Sequence, residues 1–365
     1  MSEIKVNSIK GVGASAAAIT VNNTDGTCTA NITNNLSNRR LTINGAMTIA
    51  QRGTSSTSQG YQTVDRFGLY SAGQDEALTQ AQVDVASGTT PYTSGFRKAL
   101  KITNGNQTSG AGAADYAFIF YAFEAQDIAN SGWNYNSASS FVTFSFWIKS
   151  SVAKSFKGYF KTGDGTDYAY AFDTGSLSAD TWTKVTKTIS GNSNLTFNND
   201  NGHGATIMLY PYLGSTYVQA DQENNWYASS NGKYGTTSTT SWWTTNDATW
   251  EITGIQLEAG SQATPFEHRS FGEELSLCQR YYFKHEPDDA GDTDSFCWAG
   301  KGAGGDGVDF NFILPRPLRG SPTITLDTSG GGEVRATKGT SGTSTSTTTP
   351  TVNGFNIHYP YICLR

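Results

Sequence analysis

Cysteine is scarce in this 365-residue chain, and its four thiols (Cys28, Cys278, Cys297 and Cys363) lie far apart with no metal-ligand spacing. That excludes a disulfide-stapled scaffold and predicts four free thiols in a protein folded in a reducing cytoplasm. Apolar runs are short as well. The longest is Tyr116–Phe123, eight residues, whereas a membrane span takes about 20. The opening MSEIKVNSIKG has no apolar signal-peptide core. No membrane insertion and synthesis in the cytoplasm are therefore expected. Cations are outnumbered, 25 Lys and Arg against 31 Asp and Glu, for a net charge of −6. A protein that binds nucleic acid by neutralising phosphates carries the opposite balance, so no nucleic-acid partner is expected.

Catalytic signatures are missing too. There is no G-x-S-x-G, no H-E-x-x-H and no P-loop pattern. Gly302, Gly304 and Gly307 match G-x-G-x-x-G, but no apolar helix follows, so they read as a glycine-rich turn. The acidic clusters Asp288–Asp294 and Asp164–Asp167 could wrap a Ca²⁺, yet neither fits a twelve-residue calcium loop, and solvated turns account for them better. No catalytic residue, metal ligand or cofactor is assigned.

What the chain does have is Gly (40 residues) and aromatics (12%), in a background rich in Thr, Ser and Asn. Short strands joined by tight turns have that composition. In residues 141–150, FVTFSFWIKS, Val142, Phe144, Phe146 and Ile148 share one face, the period-two pattern of a half-buried strand. Val185 and Ile189 stand apart from Lys184 and Lys187 in the same way, and 206–212 and 250–257 read as further strands. The Tyr and Phe density of 113–128 predicts a buried strand entering a short turn. FGEELSLCQRYYFK (271–284) predicts a short helix capped by Ser270 that runs into a Tyr/Phe strand. Beyond it, 308–314 and SPTITL read as strands and the Ser/Thr-rich 337–351 as a surface loop. FNIHYPYICL reads as one closing strand. Residues 1–37 hold too few apolar residues to offset the entropy of ordering them alone, so they are expected to order on copies of themselves or on another protein.

The most suggestive constellation is aromatic. Trp226, Trp242 and Trp243 fall within eighteen residues, and no Val, Ile or Leu lies between Val218 and Ile252. Neighbours on a strand point to opposite faces, so Trp242 and Trp243 are not expected to be core together. Flat rings beside polar groups suit a sugar, and subunit contacts draw on the same residues. Trp226, Trp242 or Trp243 is expected to line a shallow carbohydrate groove, with Tyr234 and Asp221 as polar partners.

Three blocks carry a family resemblance. NRRLTINGAMTIAQRGTSS (38–56) with YQTVDRF (61–67) resembles the opening of the jelly-roll domain of tailed-phage fibre proteins. SFWIKSS (145–151) resembles that family's inner strand, and ITGIQLEAGSQATPFEHRSFGEELSLCQRYYFK (252–284) its closing strand and exit. LPRPLRGSPTIT is similar to the small β-domain that often follows, and 1–37 to the start of marine-phage fibres. The resemblance implies a mainly β protein. An extended N-terminal arm (1–37) for virion attachment and oligomerisation would precede a carbohydrate-binding-module-like jelly-roll β-sandwich (38–270) and a small C-terminal β-sandwich (271–365). It further implies a non-enzymatic tail fibre or similar virion appendage, a homotrimer that joins other virion proteins through 1–37 and binds a host cell-surface glycan. The rivals are a polysaccharide depolymerase and a structural connector or capsid decoration. Glu267, Arg269 and Arg66 are candidates for an ion pair pinning the first strand to the last.

Overall fold

The computed structural model describes residues 39–219, 222–229 and 235–284 as continuous stretches, together with residue 233, segment 308–323 and short pieces elsewhere. In the N-terminal arm, β1 (Ser8–Ile9), β2 (Ile19–Val21) and β3 (Cys28–Ala30) pair antiparallel with one another. Val6 and Ile9 remain 46% and 54% exposed. The described part of the arm thus pairs its backbone without burying these side chains.

Two six-stranded antiparallel sheets follow, face to face, in a jelly-roll β-sandwich. In chain order the strands are β4 (Ser55–Ser56), β5 (Gly68–Ala72), β6 (Thr79–Asp84), β7 (Lys98–Thr103), β8 (Tyr116–Glu124), β9 (Phe141–Ser150), β10 (Ser155–Thr162), β11 (Tyr168–Ser176), β12 (Thr183–Ser190), β13 (His203–Leu213), β14 (Trp226–Ala228) and β15 (Thr249–Ala259). One sheet runs β14-β11-β10-β13-β8-β5 and the other β12-β9-β15-β7-β6-β4. Short helices α1 (Thr90–Thr93), α2 (Ala125–Ala129) and α3 (Phe271–Cys278) punctuate the strands. None of the described helices is long and apolar enough to cross a membrane.

The core lies between the sheets, where period-two alternation puts it. Val142, Phe144, Phe146 and Ile148 of β9 all point inward, and Phe144 meets Phe172 of β11 at 5.7 Å between ring centroids. Val185 and Ile189 face the same core from the edge strand β12, with Lys184 exposed on the other side. A charged edge of this kind discourages pairing with another chain. Strand β15 needs a correction to its phase, because Trp250 and Ile252 are in step with each other but out of step with Ile255 and Leu257. A bulge between Thr253 and Gln256 supplies it. Gly254 sits there at φ +65°, and a Cβ on it would lie 2.7 Å from the Phe96 ring. Only glycine meets both demands. All four apolar side chains are 0–1% exposed as a result.

The chain's opening segment is clasped by its exit. The Glu267 carboxylate accepts the backbone N–H groups of Arg39 and Arg40, both at 2.9 Å, and Arg269 Nη2 donates to the Arg40 carbonyl at 2.7 Å. Ser270 caps α3 as expected, accepting from the Glu273 N–H. Glu274, 4% exposed, then accepts from Arg40 Nη2 and the Asn44 N–H. Glu267 and Arg269 therefore tie the chain's opening to its exit, but through hydrogen bonds to the backbone of Arg39 and Arg40 and not through the expected ion pair between strands. Arg66 takes no part. It donates to the Ala122 carbonyl and lies between the rings of Tyr281 and Tyr121. Helix α3, assigned by sequence to the C-terminal unit, packs Cys278 against Ile43 and Ile49 of the sandwich. Its exit, 279–284, turns instead of forming the expected Tyr/Phe strand.

Towards the C-terminus, β16 (Gly300–Gly302) and β17 (Val308–Ile313) open a four-stranded antiparallel sheet. The Ser/Thr-rich stretch is not wholly loop: β18 (Val334–Lys338) pairs antiparallel with β19 (Thr343–Thr347). Thr is β-branched and fits a strand whether or not the strand is buried. The expected single closing strand is two, β20 (Val352–Phe355) and β21 (Tyr361–Leu364), which pair with each other. Of SPTITL, expected as a strand, Ser321, Pro322 and Thr323 are not in a strand and the other three residues lie outside the described residues, as do Asp288–Asp294, Cys297 and the side chains of Cys28 and Cys363. Cys278 is a buried free thiol, its pKa pushed up by desolvation.

Candidate functional site

The tryptophans singled out by sequence are buried. Trp226 is 7% exposed, and Trp242 and Trp243 are both 0%. Trp226 lies on the inner face of β14, edge-on to Phe160 and Tyr170, with Nε1 donating to the Ser190 carbonyl at 2.7 Å. The strand alternation expected to expose one of Trp242 and Trp243 does not apply, because residues 241–244 form a helical-type turn in which Thr244 N–H donates to the Thr240 carbonyl. Successive side chains then diverge by about 100° instead of 180°, and both indoles reach the core. Asn104 fixes the turn by donating to the carbonyls of Trp242, Trp243 and Thr245. The missing Val, Ile and Leu neighbours come from distant strands, and Tyr212 packs on Trp243 at 5.3 Å. No surface groove is lined by these three residues. Tyr234 and Asp221 lie outside the described residues. The carboxylate of Asp164 is taken by Asn198, and that of Asp167 by Lys161. Among the described residues no cluster of three or more His, Cys, Asp or Glu could hold a metal.

Apart from Phe271 of α3, which is 64% exposed, a group of partly exposed aromatics lies on the outer face of the β5-β8 pair. Along β8 the odd residues Ile119, Tyr121 and Phe123 enter the core, so Tyr116, Phe118 and Phe120 face outward. Tyr70 of β5, 41% exposed, stacks on Phe120 at 5.4 Å and meets Phe118 at 6.0 Å. Tyr116 stacks on Phe118 at 5.2 Å and meets Tyr217 edge-on at 5.2 Å. Tyr61 reaches Phe120 at 5.1 Å from the opposite end. These rings form one continuous, partly exposed stripe. Gly68, paired with Phe120 across the strands, makes room for it: a Cβ there would sit 2.3 Å from the Phe120 ring. Desolvation raises the pKa of Tyr61 and of Tyr116, so both phenols stay protonated donors at neutral pH.

At the Tyr61 end the stripe opens into a cleft of about 540 Å³ between the sandwich and segment 318–323, lined also by Arg52, Asp65, Arg66, Arg280, Tyr281, Tyr282 and Arg319. The Arg52 and Arg66 guanidiniums each lie 3.4 Å from a ring centroid, over Tyr282 and Tyr281 respectively. Arg280 holds the buried Glu124 through two 2.7 Å hydrogen bonds, and the Tyr281 hydroxyl donates to it at 2.6 Å. Burial alone would raise the Glu124 pKa. These hydrogen bonds outweigh it and hold the carboxylate below its ordinary value. Arg319 Nε donates to the Asn201 carbonyl at 2.7 Å. Sequence reasoning took the Tyr and Phe density of β8 as burial alone. The available signal was that its aromatics occupy both phases of a strand in a sandwich, which has one inner face.

No family model matches the chain, and neither does any curated protein. Among solved structures it is similar to the enzymatically active domain of bacteriophage CBA120 tailspike protein 4, at 9% identity and a TM-score of 0.33, over 60% of this chain and 21% of that one. The family 11 carbohydrate-binding module from Clostridium thermocellum, in complex with a β-1,3-1,4-mixed-linked tetrasaccharide, is 12% identical with a TM-score of 0.27, over 59% and 98%. The N-terminal cellulose-binding domain of Cellulomonas fimi β-1,4-glucanase C is 11% identical with a TM-score of 0.28, over 59% and 99%. At identities and TM-scores this low, none of these names passes to this chain.

Proposed function

We propose that this chain is a non-catalytic glycan-binding protein whose contact surface is the aromatic stripe Tyr217–Tyr116–Phe118–Tyr70–Phe120–Tyr61. The observation that carries the reading is a row of linked rings left partly open to solvent on a rigid sheet face. Sugar rings offer apolar C–H faces to stack and hydroxyls to bond, and this stripe offers flat faces with phenol hydroxyls among them. Three rings at two-residue intervals along one strand span about 13 Å, enough for successive units of a polysaccharide. Each stack is weak, so the physiological form is multivalent: a homotrimeric virion appendage, attached through residues 1–37, gains avidity from several sites at high effective concentration. The fibre-like blocks at 38–67 and 252–284 support that context.

The depolymerase rival needs two carboxyl groups about 5–10 Å apart facing the sugar. In the cleft, Asp65 is engaged by Gln51 and Arg52, and Glu124 behind it by Arg280 and Tyr281. The test is a glycan-binding screen of the whole chain beside Tyr70→Ala, with chain length of any bound polymer followed over time. Binding that falls at least about tenfold in the variant, with polymer length constant, is expected. Binding unchanged by Tyr70→Ala refutes the site, and shortened polymer refutes the non-catalytic assignment.

A further inference from the structure

We infer that the cleft at the end of the stripe is an oxyanion subsite, so that the preferred ligand is an acidic polysaccharide whose carboxylate or sulfate enters between Arg52 and Arg319. The inference rests on the stripe as the glycan surface and adds the charge of the glycan. The chain as a whole is acidic, at −6, yet the cleft lining holds Arg52, Arg66, Arg280 and Arg319 against a single carboxylate, Asp65. Even counting Glu124 behind Arg280, cations outnumber anions at this one place. A cleft lined by one sign of charge focuses the field and concentrates the opposite ion.

The arginines differ in what they have left to offer. Arg280 is spent on Glu124, and Arg66 is 7% exposed beneath the Tyr281 ring. Arg52 is freer: its side chain is 24% exposed, its contact with Asp65 is long at 3.7 Å, and its guanidinium carbon lies 3.4 Å from the Tyr282 ring centroid. Stacking occupies the face of a guanidinium and leaves its in-plane N–H donors for a carboxylate or sulfate. Arg319 approaches from the other wall, anchored through Nε to the Asn201 carbonyl and through its backbone N–H to the Arg280 carbonyl. Tyr61 belongs to both stripe and cleft, lying 5.1 Å from Phe120 and lining the cavity. A polymer laid along the rings is thereby delivered to the arginines.

The test uses the whole chain and two matched pairs of polymers: polygalacturonate against its methyl ester for the carboxylate, and dextran sulfate against dextran for the sulfate. Binding is measured by calorimetry in about 0.15 M salt. An acidic member binding at least about tenfold more tightly than its neutral partner is expected, and which pair shows it names the anion. Arg52→Gln with Arg319→Gln should remove the preference and leave neutral binding in place. Arg319→Gln alone, whose backbone anchor survives, should halve it or more if the double variant does not fold. Equal binding within both pairs, or a preference that survives these substitutions, overturns the subsite. Tyr70→Ala separates the two readings. If it weakens acidic and neutral members alike, the stripe stands whatever the arginines do; if it weakens neither while the arginine-dependent preference persists, the stripe fails and the subsite stands.

Discussion

Replacing Glu274 by Ala should be among the most destabilising single changes in the sandwich. Its carboxylate receives Arg40 Nη2 and the Asn44 N–H, with Arg269 Nη1 at 3.8 Å. Arg40 is 3% exposed and lies 4.7 Å over the Phe266 ring, and its Nε and Nη1 have no hydrogen-bond partner. Burial already lowers the Arg40 pKa against the support of Glu274. Removing that support strands a desolvated cation, which costs about 3–5 kcal/mol for a buried pair broken on one side. At roughly 2–4 °C per kcal/mol for a lobe of this size, the melting temperature should fall by about 6–20 °C in calorimetry at pH 7. The double variant Arg40→Met/Glu274→Leu removes both charges and should recover part of the loss, because no cation is left stranded, while the buried Asn44 N–H stays without its acceptor. A shift under about 2 °C for Glu274→Ala, or a double variant that loses the sum of both singles, would refute the argument.

Trp243→Ala should lose about 3–5 kcal/mol by emptying a core site, while glycan binding below the new melting point stays as before; a binding defect without a stability defect would return this residue to the recognition surface. Asp127 gives a pH signature. Burial first, then the charge of Glu124, push its pKa from 3.8 up to about 6. A raised carboxylate pKa contributes stability that is full below about pH 4 and lost as pH rises through about 6. Asp127→Asn should therefore raise the melting temperature at pH 7 and leave it nearly unchanged at pH 4, and an equal gain at both values counts against this. Native mass measurement at nanomolar concentration should give a trimer, and a stable folded monomer would remove the avidity mechanism.

Much of the sandwich was legible because alternation is a local property. β9 and β12 can be read from which residues are two apart, β15 from its apolar content at 250–257, and the closing helix from Ser270 and the acidic residues after it. Ile252 and Ile255, out of phase by one, share one core strand because the bulge at Gly254 absorbs the mismatch. The proposed binding surface was not legible for the complementary reason. Whether an aromatic is inside or outside depends on what packs over it, and for Trp242 and Trp243 that is set by Tyr212, Gly110 and Asn104, more than a hundred residues away in the last two cases. The cleft is less legible still, since it unites residues 52–66 with 280–282 and 318–323. Arginine and tyrosine scattered over such distances carry no spacing to recognise.

The stripe and the Glu274 contacts that clasp the chain's opening to α3 are linked by construction. Strand β8 ends in Glu124, whose carboxylate holds Arg280 and Tyr281, and these follow directly from the helix that Glu274 ties to Arg40 and Asn44. One wall of the cleft is therefore carried by the element that closes the sandwich, and the rings that lead to it are carried by the sandwich itself. Rings held by sheet neighbours, as Phe120 is held over Gly68, have little rotamer freedom left to lose on binding. A glycan surface of the proposed kind, assembled this way, would reach useful affinity with weak individual stacks, because the ordering cost has been met in folding. The same coupling makes the cleft the more sensitive half: loosening Glu274 should disturb Arg280–Tyr282 before it disturbs Tyr70, Phe118 and Phe120, whose places are set by ladder hydrogen bonds between β5 and β8.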